Sequence, residues 1–92
     1  MWEVFESKQA QKAVPKLPPS VLEKYEFWKN IVVLSGPSGL RAIPGFHDEA
    51  LAGEWKGHRS SRLSIHFRVI YRVDGEKVRV FVERLTAHDY RR

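Results

Sequence analysis

Residues 59–92 decide the fold of this chain, and they read RSSRLSIHFRVIYRVDGEKVRVFVERLTAHDYRR. Residues 67–73 are apolar at every second position, and residues 78–82 repeat this alternation. Such a period of two is typical of a strand that buries one face. Residues 62–65 alternate in the same way. The stretch therefore predicts three strands.

Asp74-Gly75 separates the last two runs, and both residues tolerate the positive φ of a two-residue hairpin turn. Strands joined by short turns are antiparallel. The alternation places Arg62, Arg68 and Arg72 on the side opposite to the apolar residues. We therefore expect a meander with one apolar face and one solvent-exposed face that carries arginines.

The residues before this stretch predict a short strand over residues 2–5 and two helices. Ser7 can cap the first helix, and Pro15 should kink or end it. An apolar stripe over residues 21–32 predicts the second helix, which should start near Pro18-Pro19 and reach Leu34.

Residues 44–57 show no periodicity and are interpreted as a packed loop. The predicted order is one strand, two helices and three strands. This order indicates an α+β fold, with an antiparallel twisted sheet and both helices on one face.

The composition indicates one folded domain over residues 1–92, with 42% apolar residues and no cysteine. A disulfide framework and a thiolate metal site are therefore excluded. Residues 1–20 lack the apolar core of a secretory signal, and no apolar run is long enough for a membrane span. We expect a cytoplasmic protein without a membrane partner.

The charge points to a polyanionic partner. The net charge is +5, and residues 58–92 hold eight arginines and one lysine against four acids. Polar residues on an exposed sheet face need no function, but arginine binds phosphate through two donors at once. The absence of compensating acids on the predicted face favours binding of phosphate or nucleic acid.

The C-terminal residues His88, Asp89 and Tyr90 can each transfer a proton. Alone, this tripeptide is a weak signal, because terminal His and Tyr residues often only pack or fray. Cleavage of RNA without a metal needs a base for the 2′-hydroxyl, cations for the phosphate and an acid for the leaving oxygen. The arginine strands and this tail supply all three residue types.

A metal site is not expected. The four histidines have neither helix-type nor finger-type spacing (His47, His58, His66 and His88). We predict no metal and no other cofactor.

Four segments together resemble the RelE/ParE superfamily of type II toxins, closest to its RelE/YafQ-like ribonuclease branch: residues 51–57, 59–63, 67–71 and 88–92. The resemblance covers most of the chain. It implies a RelE-like βααβββ fold and a bacterial mRNA interferase. Such an enzyme cuts messenger RNA, usually on the ribosome, and is silenced by a cognate antitoxin. The chain's charge suggests an antitoxin with an acidic or amphipathic segment.

The resemblance also assigns residue roles. His88 matches a catalytic C-terminal histidine, and Tyr90 lies near the tyrosine that other branches use. Arg62 and Arg68 match strand arginines that hold the phosphate. Further candidates for binding RNA or its phosphates are Lys56, Arg59, His66, Arg84, Asp89 and Arg91.

Strict alternation would put Arg84 on the core side. A bulge or twist near Glu83 is therefore required to bring it to the face that carries Arg62 and Arg68. Two alternatives remain open. One is a ParE-like toxin that poisons gyrase, and the other is a non-catalytic interaction module of the same fold.

Overall fold

The computed structural model describes residues 1–87, and it has the predicted α+β class: helices cover one face of a five-stranded sheet. The elements in chain order are β1 (Glu3–Glu6), α1 (Lys8–Ala13), α2 (Pro19–Ser35), α3 (Ser38–Arg41), β2 (Glu49–Ala50), β3 (Arg59–Arg62), β4 (Arg68–Asp74) and β5 (Arg79–Thr86).

The strand order in the sheet is β1-β5-β4-β3-β2. Strands β3, β4 and β5 pair in antiparallel fashion, as the sequence predicts, and β2 pairs with β3 in the same way. Strand β1 instead pairs with β5 in parallel, with Glu3 opposite Arg79 and Glu6 opposite Val82. The expectation of an entirely antiparallel sheet is therefore wrong for its first strand. Parallel neighbours need a long connection between them, and the helices and the other strands supply it here.

The helix boundaries follow local chemistry. The Ser7 hydroxyl accepts a hydrogen bond from the Ala10 amide at 3.1 Å and caps α1, as predicted. Pro15 lies in the 3₁₀ turn that ends this helix. Helix α2 begins at Pro19 and stops before Gly36, whose φ of 74° lies in the left-handed region that favours glycine.

Trp28 of α2 joins the helices to the sheet. Its fully buried ring stacks on Tyr25 with a centroid distance of 5.9 Å. The same ring meets Tyr71 of β4 edge-on at 5.3 Å. Val69 and Val82 belong to the same buried cluster. The helices therefore cover the sheet face that carries Val69 and Tyr71, and we call this the helix-covered face.

The turns between strands differ from the prediction. The strand expected over residues 62–65 ends at Arg62, and Ile65 is 84% exposed. The Ser64 hydroxyl accepts hydrogen bonds from the backbone amides of His66 and Phe67, and these bonds stabilise a turn of the chain. Between β4 and β5, Asp74 pairs with Arg79, so four residues connect the strands instead of two. Val78, with φ 55°, takes the positive-φ position that was expected at Asp74-Gly75.

Part of the predicted loop over residues 44–57 is strand. Glu49 pairs with Ser60 and Ala50 pairs with Arg59, so β2 forms the outer edge of the sheet. Phe46 and Leu51 of this segment are buried, as the packed-loop interpretation expects. Within residues 1–87, no helix combines the length and apolar character that crossing a bilayer requires.

Candidate active site

A bulge in β5 places Arg84 on the sheet face opposite to the helices, which we call the arginine face. Ile70 pairs with Arg84, whereas the next residue, Tyr71, pairs with Val82. Glu83 is therefore the extra residue of the bulge. Directly paired residues share a face, so Arg84 joins Ile70 rather than the core residue Val82. The register bears out the predicted need for an irregularity near Glu83.

Arg62 and Arg68 face each other across β3 and β4 on the arginine face. Arg68 is only 5% exposed, and its Nη1 donates a hydrogen bond to the Ser60 hydroxyl at 3.3 Å. Ile70, on the same face, is fully buried. The expectation that this face is exposed to solvent is therefore wrong at its centre, where Arg68 and Ile70 are buried. Alternation gives the side on which a residue lies, but it does not give the accessibility of that side.

His58 precedes β3 with the same parity as Ser60 and Arg62, and the sequence analysis did not select it for catalysis. Its ring meets the Trp55 ring edge-on at 5.0 Å. The Arg84 guanidinium lies 5.8 Å from the centre of the same indole ring. Aromatic rings and guanidinium planes are surfaces on which a nucleic-acid base can stack, and this cluster contains both.

Two polar atoms of this region are buried without a hydrogen-bond partner among residues 1–87: His58 Nδ1 and Arg62 Nε. Leaving a buried polar group unsatisfied costs free energy, so such groups need an explanation. Both groups are suited to phosphate or to a polar part of a substrate, because arginine donates and imidazole can donate or accept.

Glu49 is a second group that the sequence analysis missed. It pairs with Ser60 across β2 and β3, which puts a partly buried carboxylate on the arginine face. Its signal in the sequence was weak, because a two-residue strand has no periodicity. A carboxylate and an imidazole beside three arginines supply the group types that general acid–base catalysis on a phosphate ester needs.

Arg59 lies on the helix-covered face, apart from the other candidate arginines. It pairs with Tyr71, and its Nε donates to Asp48 Oδ1 at 2.8 Å. Burial lowers the pKa of Arg59, but the hydrogen bond and charge of Asp48 raise it, and the net shift is upward. The buried Asp48 carboxylate also accepts hydrogen bonds from Ser61, at 2.7 Å, and from Tyr71. Arg59 thus holds a structural network together.

The remaining sequence candidates are dispersed. Lys56 is exposed and ends the 3₁₀ turn Gly53–Trp55 before β3. His66 is exposed in the turn between β3 and β4. The candidates of the C-terminal tail, which lie outside the described residues, are His88, Asp89, Tyr90 and Arg91.

The arginine face carries more acid than predicted. Arg72 forms an ion pair with Glu83 at 3.3 Å, and Arg79 forms one with Glu3 at 3.6 Å. Strand β1 brings Glu3 beside β5, which the strand alternation alone could not reveal. In the described part of the chain, no three His, Asp or Glu side chains gather in a way that could hold a metal ion.

Solved structures of toxins share this architecture. A YoeB/ParE toxin from Agrobacterium tumefaciens superposes with a TM-score of 0.76 at 18% identity, over 95% of this chain and 99% of that one. The fold is that of the RelE and YoeB toxins. YafQ from E. coli gives a TM-score of 0.72 at 16% identity, over 94% of this chain and 92% of that one.

The RelE-like fold also matches a chain of the RelBE toxin–antitoxin complex from Mycobacterium tuberculosis. That match has a TM-score of 0.67 at 24% identity, over 92% of this chain and 95% of the other. Comparisons of the sequence with protein-family models and with curated proteins find no match. At these identities the likeness establishes the fold alone, and it confirms the RelE-like architecture that the sequence predicts.

Proposed function

We propose that this chain is the toxin of a bacterial type II toxin–antitoxin system and acts as a metal-independent endoribonuclease. The observation that carries the proposal is the β5 bulge, which brings Arg84 to the face of Arg62 and Arg68. Three guanidiniums on one sheet face suit the charge that develops on a phosphate during cleavage. The toxin identity of the structural neighbours supports the biological role.

In the proposed reaction, a base removes the proton from a ribose 2′-hydroxyl, whose oxygen then attacks the adjacent phosphorus. The bond from phosphorus to the 5′-oxygen breaks, and an acid protonates that oxygen. The products are a 2′,3′-cyclic phosphate and a 5′-hydroxyl. Arg62, Arg68 and Arg84 stay protonated at neutral pH, so their role is to bind and stabilise the phosphate.

The proton-transfer roles belong to a small set of groups. His88 is the first candidate, with Tyr90 as the second, on the resemblance of residues 88–92 to RelE-type toxins. His58 and Glu49 are the candidates on the arginine face itself. An imidazole is suited to both steps, because its ordinary pKa of about 6.5 leaves both protonation states populated near neutrality.

The proposed substrate is messenger RNA on the ribosome, and the proposed inhibitor is an antitoxin with an acidic or amphipathic segment. A chain with net charge +5 favours such a partner. One of the similar structures is itself a toxin–antitoxin complex. Affinity for the antitoxin should fall as salt rises, because salt screens exposed charges.

The deciding experiment is induced expression in bacteria, followed by mapping of RNA ends. Ribonuclease activity predicts loss of translated messenger RNA, with cuts inside codons. Growth arrest with intact messenger RNA and trapped gyrase–DNA complexes would instead identify a ParE-like toxin. Normal growth and intact RNA would favour a non-catalytic interaction module.

A further inference from the structure

The arginine face continues past the candidate active site into a second cluster, formed by Phe5, Phe81, Arg72 and Arg79. We call this cluster the stacking patch. The rings of Phe5 and Phe81 stack with a centroid distance of 5.5 Å and an interplanar angle of 22°. The Arg72 guanidinium lies 4.1 Å from the centre of the Phe81 ring, and that of Arg79 lies 5.6 Å from the centre of the Phe5 ring. Two guanidiniums therefore lie over a floor of two aromatic rings.

The stacking patch is accessible. Phe5 is 41% exposed, and the side chains of Arg72 and Arg79 are 45% and 40% exposed. A large aromatic residue on the outer side of a sheet gains no core contacts there. The Arg72 and Arg79 guanidiniums lie over the rings and their side chains are partly exposed, so the patch offers both guanidinium and ring surface to a ligand.

The charge of the stacking patch is balanced, unlike that of the candidate active site. Glu83 pairs with Arg72 and Glu3 pairs with Arg79. The two arginines therefore add little net attraction for a phosphate backbone. What the patch offers is planar surface, and guanidinium planes and aromatic rings are the surfaces on which unpaired bases stack.

The stacking patch lies close to the candidate active site on the same sheet. Phe81 is directly opposite Arg72, and Arg84 is opposite Ile70. On β4, Ile70 lies two residues before Arg72. Because Glu83 is the extra residue of the bulge, Phe81 and Arg84 are as far apart along the sheet as their partners Arg72 and Ile70, which is two residues of β4 or about 7 Å. A stacked nucleic-acid strand advances about 3.4 Å per nucleotide, so the patch is about two nucleotides from Arg84.

We infer that the stacking patch is a base-binding subsite for single-stranded RNA on one side of the cleaved phosphate. The inference rests on the proposed ribonuclease function and deepens it. A base stacks on the Arg72 guanidinium, which Phe81 supports from below and Glu83 fixes from the side. Since purines have the larger π surface, the subsite should favour purines over pyrimidines.

The test is binding of oligoadenylate and oligouridylate, ten nucleotides long, to the full chain by fluorescence anisotropy. Two variants are decisive: Arg72→Lys keeps the charge and loses the plane, and Phe81→Leu keeps the apolar bulk and loses the ring. Each should weaken binding of oligoadenylate about tenfold, as expected for losing one stacked base. Each should leave the dependence of affinity on salt unchanged, because the number of phosphate contacts is the same.

Arg41→Lys is the matched control, because Arg41 is an exposed arginine on α3, away from the arginine face. It should bind as the parent chain does. Melting temperatures of all variants exclude misfolding as the cause of a loss.

Unchanged oligoadenylate binding in both decisive variants would overturn the subsite. So would a parent chain that binds neither oligonucleotide. If the two variants instead lose only antitoxin binding, the patch is a protein interface and the inference is wrong. The proposed function is judged separately, by the appearance of cleaved messenger RNA in cells.

Discussion

Arg68 donates a hydrogen bond from Nη1 to the hydroxyl of Ser60 at 3.3 Å, and both side chains are almost completely buried. A guanidinium held in this way has lost most of its hydration before any substrate arrives. The position thus combines two properties that surface arginines lack: a fixed orientation and a low local dielectric, which strengthens attraction to a phosphate. Because it is buried and hydrogen-bonded, Arg68 also contributes to the stability of the fold.

Arg68→Ala should therefore impair both activity and stability. Alternation placed Arg68 on a face that was expected to be solvent-exposed, where truncating the side chain would cost little stability. The buried hydrogen bond instead predicts a loss of about 1.5–3 kcal/mol in the free energy of unfolding. Urea unfolding measures it. Arg41→Ala is the control, because Arg41 is an exposed arginine on α3 and truncation of an exposed side chain usually changes stability by less than about 0.5 kcal/mol. Equal stability of the two variants would contradict the structural role of Arg68.

His88→Ala should lower turnover by about 10²–10⁴-fold, the usual effect of removing a general acid or base. Affinity for the RNA substrate should stay nearly constant, because the arginines provide the phosphate contacts. Single-turnover cleavage and binding titrations separate the two quantities. If His88→Ala retains its turnover and His58→Gln loses it, the proton-transfer role belongs to His58.

Cleavage should persist in EDTA and leave 2′,3′-cyclic phosphate or 3′-phosphate ends. The motivation is that the proposed mechanism needs only side-chain acids, bases and cations. End-group analysis of a defined RNA measures this directly. Metal-dependent formation of 3′-hydroxyl and 5′-phosphate ends would exclude the mechanism.

Stability should decrease above about pH 10, the ordinary pKa of tyrosine. Burial, followed by the hydrogen bond to Asp48 and its charge, raises the pKa of Tyr71 in the folded chain, and Arg59 offsets only part of this shift. Above pH 10 the unfolded chain therefore loses a proton that the folded chain keeps, and the stabilisation present at lower pH is lost. The titration of Tyr71 can lower the free energy of unfolding by up to about 1.4 kcal/mol per pH unit.

Urea unfolding between pH 9 and pH 11 checks this dependence, with Tyr71→Phe as the comparison. The variant loses the hydrogen bond to Asp48 at every pH, so it should be less stable at pH 9. Its stability should then decline less steeply. A slope equal to that of the parent chain would show that Tyr71 does not titrate differently in the two states.

Periodicity predicted β4 and α2, because each of these depends on side chains within one segment. The need for a bulge near Glu83 came from combining that periodicity with the role that the family resemblance gives Arg84. It could not predict the parallel pairing of β1, which depends on the path of the chain through the helices. It also missed β2, since two residues have no period. The burial of Arg68 and the nearness of Trp55 to Arg84 depend on contacts between segments that are distant in sequence, and local alternation carries no information on those.

The parallel pairing of β1 with β5 has a consequence for how the molecule is made. Residues 3–6 of β1 pair with residues 79–82 of β5, so β1 cannot join the sheet until β5 has been synthesised. Contacts of such long sequence separation form late, because the intervening chain must be closed into a loop first. Residues 79–82 must therefore have left the ribosome before the five-stranded sheet, and with it the face that carries the arginines, can be completed.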